Sequence, residues 1–96
     1  MQESKTQDIK GKSLGKAFSF TLRRLRQDRG LSQESLGFES GYHRTYISLL
    51  ERGQKSPSLQ TIFTLSKALL IEPYELIRQV ESKNNELVQN MKKDGD

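Results

Sequence analysis

Cysteine is absent from this 96-residue sequence, and histidine occurs once, at His43. Without thiols neither a disulfide framework nor a thiolate metal site can hold the fold, and one imidazole cannot build a multi-histidine centre, so no metal is expected. No apolar run approaches the roughly 20 residues that span a bilayer, and "MQESKTQDIKGKSLGK" lacks the hydrophobic segment of a secretory signal. A cytoplasmic protein with no membrane role is the expectation. Also missing are a nucleophile matched to a histidine and an orienting acid, a glycine-rich phosphate loop, and carboxylates at metal-ligand spacing. Neither an enzyme nor a bound cofactor is expected.

Positive charge is present, and it is unevenly placed. The formal net charge is +4, with +5 on residues 1–55 and −1 on residues 56–96. Such a surplus fits a polyanion such as DNA, or an acidic membrane face, better than a cationic ligand. Charge alone leaves an ordinary solvated surface equally open.

The length suits one small domain with tails. Residues 1–12 are polar around one isolated isoleucine and read as a flexible basic arm. Leu14, Phe18, Leu22 and Leu25 then recur at steps of four, four and three, which places them on one face of a first helix that Gly30 stops. Arg23, Arg24, Arg26 and Arg29 lie around its other sides; Arg23, Arg24 and Arg29 read mainly as solvated. Ser32 is a good N-cap for a short second helix, with Gln33 and Glu34 in its first turn, Leu31 and Leu36 inward, and its end near Gly41. A third helix over about Arg44 to Arg52 turns Ile47 and Leu50 inward and stops at Gly53. Pro57 marks a loop, and Ser58 caps a fourth helix over about Leu59 to Leu69, with Leu59, Ile62, Leu65 or Ser66, and Leu69 buried. Pro73 suits the first turn of a fifth helix, whose Tyr74, Leu76, Ile77 and Val80 face the bundle. Residues 82–96 form a polar tail in which only Leu87, Val88 and Met91 are apolar. Two readings of it stay open, an amphipathic continuation of the fifth helix and a frayed end. The fold class is all-α, with the five helices spanning residues 13–81.

A helix, a short turn containing glycine and a second helix make a helix-turn-helix. Counting from Gln33, the fifth position needs a small residue where the helices nearly touch, and Gly37 stands there. The ninth needs tolerance of positive φ, and Gly41 supplies it. These residues, within "RRLRQDRGLSQESL", "GYHRTYISLLERGQKSPSL" and "TLSKAL", resemble the XRE or lambda-repressor-like family of helix-turn-helix regulators from about Leu14 to Val80. The string "HRTYIS" looks like the recognition helix of small controller proteins of restriction-modification systems.

The resemblance implies a five-helix lambda-repressor-like bundle that regulates transcription by binding double-stranded operator DNA, approximately palindromic, as a homodimer. It implies that Gln33 clamps a phosphate and that Arg44 and Thr45 reach base edges, with Ser48 and Leu49 one turn on. It also implies that Arg26 and Glu51 form a structural ion pair that presents the guanidinium toward a phosphate. The chemistry of the residues fits: Arg44 can donate two bonds to a guanine, worth about 1–3 kcal/mol of discrimination, and Thr45 offers a hydroxyl or a methyl. Tyr42, His43 and Tyr46 suit phosphate oxygens or partial burial. Lys55, Ser56 and Ser58 surround the start of the fourth helix as a second phosphate site. Gly37 stands where the family usually has alanine, a change expected to weaken the second helix by roughly 0.5–1 kcal/mol. Leu76, Val80, Leu87 and Met91 are the candidate dimer surface. A protein-interaction module or an antitoxin on the same fold, engaging a partner protein through the third helix or the tail, is the alternative function.

Overall fold

A computed structural model describes the backbone of residues 5–95 and the side chains of residues 11–91. The described residues form five α-helices: α1 Lys5–Asp28, α2 Gln33–Ser40, α3 Arg44–Glu51, α4 Leu59–Ala68 and α5 Pro73–Gly95. No strand occurs among the described residues. The fold is an all-α bundle, as the spacing of apolar residues predicts.

Local chemistry sets the boundaries. Ser32 and Ser58 cap α2 and α4, their Oγ atoms accepting from the N–H groups of Ser35 at 2.9 Å and Thr61 at 3.0 Å. Gly41 ends α2 in the left-handed region at φ 80°, which lets the Tyr42 N–H reach the Gly37 carbonyl at 2.9 Å. Helix α4 ends with the same kind of turn but without glycine. Leu70 takes φ 58°, its N–H donating to Lys67 O at 3.1 Å while Ile71 N–H donates to Ser66 O at 3.0 Å. A branched side chain in that conformation costs on the order of 1 kcal/mol or more.

Every helix contributes to one core: Ala17, Phe18 and Leu22 from α1, Leu36 from α2, Ile47 and Leu50 from α3, Leu65 and Ala68 from α4 with Leu69 just beyond it, and Leu76 and Val80 from α5. The inward face of α1 is centred differently from the expected one. Ser13, Ala17 and Thr21, one turn apart, are all buried, while Leu14 is 50 % exposed. The reason is that α1 packs on two sides at once. Its small residues face α5, where Ser13 Oγ donates to Asn84 Oδ1 at 2.6 Å. Phe18 and Leu22 fill the centre, and Ser19 Oγ donates to the Leu50 carbonyl at the end of α3 at 2.8 Å.

The packing of α1, α4 and α5 bears on four further readings of the sequence. The stretch read as a flexible arm is helical from Lys5 onward, and residues 1–4 lie outside the described residues. The tail of residues 82–95 continues α5 rather than fraying, with Leu87 packed on the core. The expected dimer surface is mostly consumed inside the subunit, since Leu76 and Val80 are buried and Leu87 is half-buried; of the four, Met91 alone is exposed. Leu59, Tyr74 and Ile77, expected in the core, are exposed instead, because α4 and α5 turn Leu65 and Leu76 inward and leave those three on the outside.

Arg29, read as a solvated residue, joins the framework. Its Nη1 donates to the Ala68 carbonyl at the end of α4 at 2.5 Å and to Glu39 at 3.2 Å.

Candidate nucleic-acid interface

Helix α3 is the most two-faced element of the molecule. Ile47 and Leu50 are completely buried beneath it, while Arg44 and Thr45 stand exposed on its first turn and Ser48 and Leu49 are half-buried one turn on. All four expected base-reading residues thus lie on the accessible side. Arg52, which sequence reasoning passed over, continues that row one more turn, exposed and with its Nε near the Ser48 carbonyl at 3.4 Å. Its position eight residues after Arg44 was the available signal.

His43 has a role that its residue type did not suggest. It is the N-cap of α3, its Nδ1 accepting from the Thr45 N–H at 3.0 Å. Accepting there requires Nδ1 to be unprotonated, which leaves the hydrogen on Nε2 of this exposed residue. The residue expected to meet phosphate therefore also holds the backbone beneath Arg44 and Thr45.

The turn before α3 is tight. A Cβ on Gly37 would lie 2.6 Å from the Tyr42 carbonyl oxygen and 3.3 Å from the Arg44 nitrogen. Gly37 is thus a close-approach residue here, and treating it as a weakened alanine understates its part in setting the angle at which α3 leaves α2.

Behind α3 sits a three-residue relay. Glu51 Oε2 accepts from Arg26 Nε at 2.6 Å, and its Oε1 accepts from Arg26 Nη2 at 2.9 Å, the two-pronged pairing that guanidinium and carboxylate favour. Arg26 Nη1 also donates to the Leu31 carbonyl at 2.8 Å. The same Glu51 Oε1 accepts from Gln33 Nε2 at 3.1 Å. The two charged side chains are 10 % and 3 % exposed, and the hydrogen bonds to Glu51 hold the Arg26 pKa above its usual value. Arg26 joins α1, the α1–α2 turn and α3. Its burial takes it out of the phosphate-facing set, because its guanidinium is turned to Glu51 and Leu31 rather than outward. Gln33, half-buried at the start of α2, has its amide oriented by Glu51, and no described residue takes the second hydrogen on that nitrogen.

Four hydroxyls meet at the start of α4. Tyr42 donates to Thr61 Oγ1 at 3.3 Å, Tyr46 shares a hydrogen bond with the same atom at 3.2 Å, and Ser58 shares another at 2.9 Å. The two tyrosine rings lie 5.0 Å apart at 55° and pack against the core, so Tyr42 in the α2–α3 turn and Tyr46 on α3 brace that motif against α4. Thr61 is the centre of this network and was not anticipated; its place three residues after a serine cap was the only hint. Lys55 and Ser56 stand exposed in the loop between α3 and α4, apart from the Gln33 relay.

A capped helix with a buried back, an exposed polar front and a glycine-tight turn behind it defines a helix-turn-helix DNA-binding domain. The chain belongs to the helix-turn-helix family, whose model matches residues 22–76. The control protein C.BamHI of Bacillus amyloliquefaciens is 44 % identical over 61 residues, covering 62 % of this chain and 75 % of that protein. The crystal structure of the restriction-modification controller protein C.AhdI from Aeromonas hydrophila is similar with a TM-score of 0.63 and 50 % identity, over 65 % of this chain and 94 % of that one. The controller protein C.Esp1396I, solved as a tetramer in complex with its natural 35 base-pair operator, matches with a TM-score of 0.69 and 25 % identity, over 74 % of this chain and 93 % of that one. Among the described residues no helix is long and apolar enough to cross a membrane.

Proposed function

We propose that this protein is a sequence-specific transcriptional regulator of the controller type, which seats α3 in the major groove of operator DNA as a homodimer in the cytoplasm. The observation that carries the reading is the side-by-side exposure of Arg44 and Thr45 on the capped first turn of a helix whose other face is fully buried. Arg44 donates its fork to O6 and N7 of a guanine, Thr45 reads the neighbouring base, and Ser48 and Leu49 contact the next step, Leu49 through a thymine methyl. Gln33 and the Nε2–H of His43 hold phosphates on one side of the groove, and Lys55, Ser56 and Ser58 hold them on the other. Tyr42 and Tyr46 set the spacing between the two sides.

One module of this size makes few base contacts, so two copies on half-sites about 34 Å apart supply the specificity. The surface that suits a second copy is the α4–α5 corner. Leu59 and Phe63 lie one turn apart on α4, Leu70 stands at the joint, and Tyr74 and Ile77 lie one turn apart on α5, all exposed. A two-fold axis through that corner would cover the same patch on both subunits. Keeping a leucine in the left-handed conformation at Leu70, where glycine is cheaper, fits a side chain needed for contact.

Selecting bound sequences from random duplex DNA tests the proposal: an inverted repeat with a conserved guanine in each arm is the expected result. Enrichment of no sequence, together with binding that does not weaken as salt rises, would favour a protein-partner role instead.

A further inference from the structure

On the side of α1 away from α3, a groove of about 460 Å³ opens between α1 and α5. Its volume falls within the range of small-molecule sites, and its lining is cationic: Arg24, Arg78 and Lys83 against the single carboxylate of Glu86. Arg78 is occupied by Glu75 at 2.5 Å, and Lys83 by Glu86 at 2.9 Å while also lying 3.9 Å from the centre of the Phe20 ring. Among the described residues Arg24 has no carboxylate partner. It donates to Gln79 Oε1, whose amide is fixed in turn by donating to Glu75 at 3.0 Å. A guanidinium held in place by a neutral amide keeps its charge uncompensated and most of its N–H groups available.

A second observation comes from the wall of the groove. Thr21 is 1 % exposed, lines this groove, and its Oγ1 is the one buried side-chain polar atom among the described residues that lacks a hydrogen-bond partner. An orphaned hydroxyl is costly inside a protein and calls for a missing partner. Ser82 adds another hydroxyl to the same lining.

We propose that this groove is a binding site for a small oxyanion, a phosphate or carboxylate group of a metabolite, with Arg24 as its charge partner and the Thr21 and Ser82 hydroxyls as its donors. The site lies apart from the DNA-reading residues but on the helix that braces them, since α1 bonds to the end of α3 through Ser19 and Arg26. An occupant fixes α1 against α5 and is felt at α3.

Titration of the whole protein with inorganic phosphate, and separately with citrate, followed by NMR, tests the assignment. The expected result is saturable shifts centred on Thr21, Arg24 and Ser82 with at least one of the two anions; phosphate alone or citrate alone then distinguishes the two sources. Arg24→Gln should weaken that binding about tenfold or more, the usual loss for a charge-assisted hydrogen bond. Thr21→Val keeps the shape and removes the orphan, so it should raise the melting temperature of the free protein while weakening the anion. Shifts confined to Gln33, His43 and Lys55 would show anions on the DNA face only and overturn the proposal, as would no saturable binding of either anion, or binding unchanged in both variants.

Discussion

Two exposed surfaces of this molecule are built on opposite rules. On the α2–α3 side the exposed groups are mostly polar, with Phe38 the exposed exception, and the residues beside them are tied down: Gln33 to Glu51, His43 to the Thr45 backbone, Tyr42 and Tyr46 to Thr61. On the α4–α5 corner the large exposed side chains Leu59, Phe63, Leu70, Tyr74 and Ile77 are mostly hydrocarbon, and their exposed area is what they offer a partner. A surface that reads a polyanion needs donors fixed in advance, since each one ordered on binding costs affinity; a surface that meets its own copy needs mainly area removed from water. Pre-ordering on one side and bare hydrocarbon on the other are what a DNA-reading subunit that pairs would require.

Substitutions can break this contrast at either end. The largest effect is expected at Glu51. Replacing it by alanine leaves the buried Arg26 without its carboxylate, which typically costs 3–5 kcal/mol, so Glu51→Ala should unfold at much lower denaturant in an equilibrium titration. On the apolar side, Phe63→Asp should leave the fold intact but shift sedimentation to the monomer, a loss of about 2 kcal/mol or more in association if Phe63 lies at the centre of the patch. Truncation after Glu81 should do the reverse, loosening α1 while leaving pairing in place. A dimer that survives Phe63→Asp and dissociates on truncation would move the interface to the tail.

Arg44→Ala should change neither folding nor pairing. Its effect is expected as about 1–3 kcal/mol of lost discrimination at one base pair per half-site, read from binding to a set of operator variants. Unchanged preference across the set would remove Arg44 as a reader.

The smallest effect is a pH dependence on α5. Hydrogen bonds from Arg78 and Gln79 lower the Glu75 pKa to about 2. A carboxyl depressed in the folded state contributes stability that is complete above its unfolded value near 4.3 and is lost as the pH falls through about 2. Glu75→Gln should therefore flatten the acid side of the stability profile slightly, and only slightly, because the pair is solvated.

The helices were legible because their signals are local. Serine caps, left-handed glycines and apolar residues three or four apart act within one turn, and Ser32, Gly41, Ser58 and Pro73 fall where those rules place them. What stayed hidden depends on partners distant in sequence. Apolar spacing places Leu14 in the core and passes over Ser13, because the register of α1 is decided by α5, some seventy residues away. Leu59 and Ile77 carry the right residue types and spacing for a core, and spacing cannot tell a face that meets the subunit's own interior from one left bare. Within the candidate site the order was similar. The exposed row on α3 follows from its period, whereas the capping by His43, the hydroxyl junction at Thr61 and the close approach at Gly37 needed coordinates.

The relay through Glu51 carries one further implication. A single acidic side chain anchors the architecture and aims the amide of Gln33, so under the proposed phosphate role of Gln33 changes at this position cannot trade robustness against grip on the duplex. On that reading whatever alters one alters the other, and adjustment of target strength is left to the proposed contacts of the outward row of α3 and the loop that follows it.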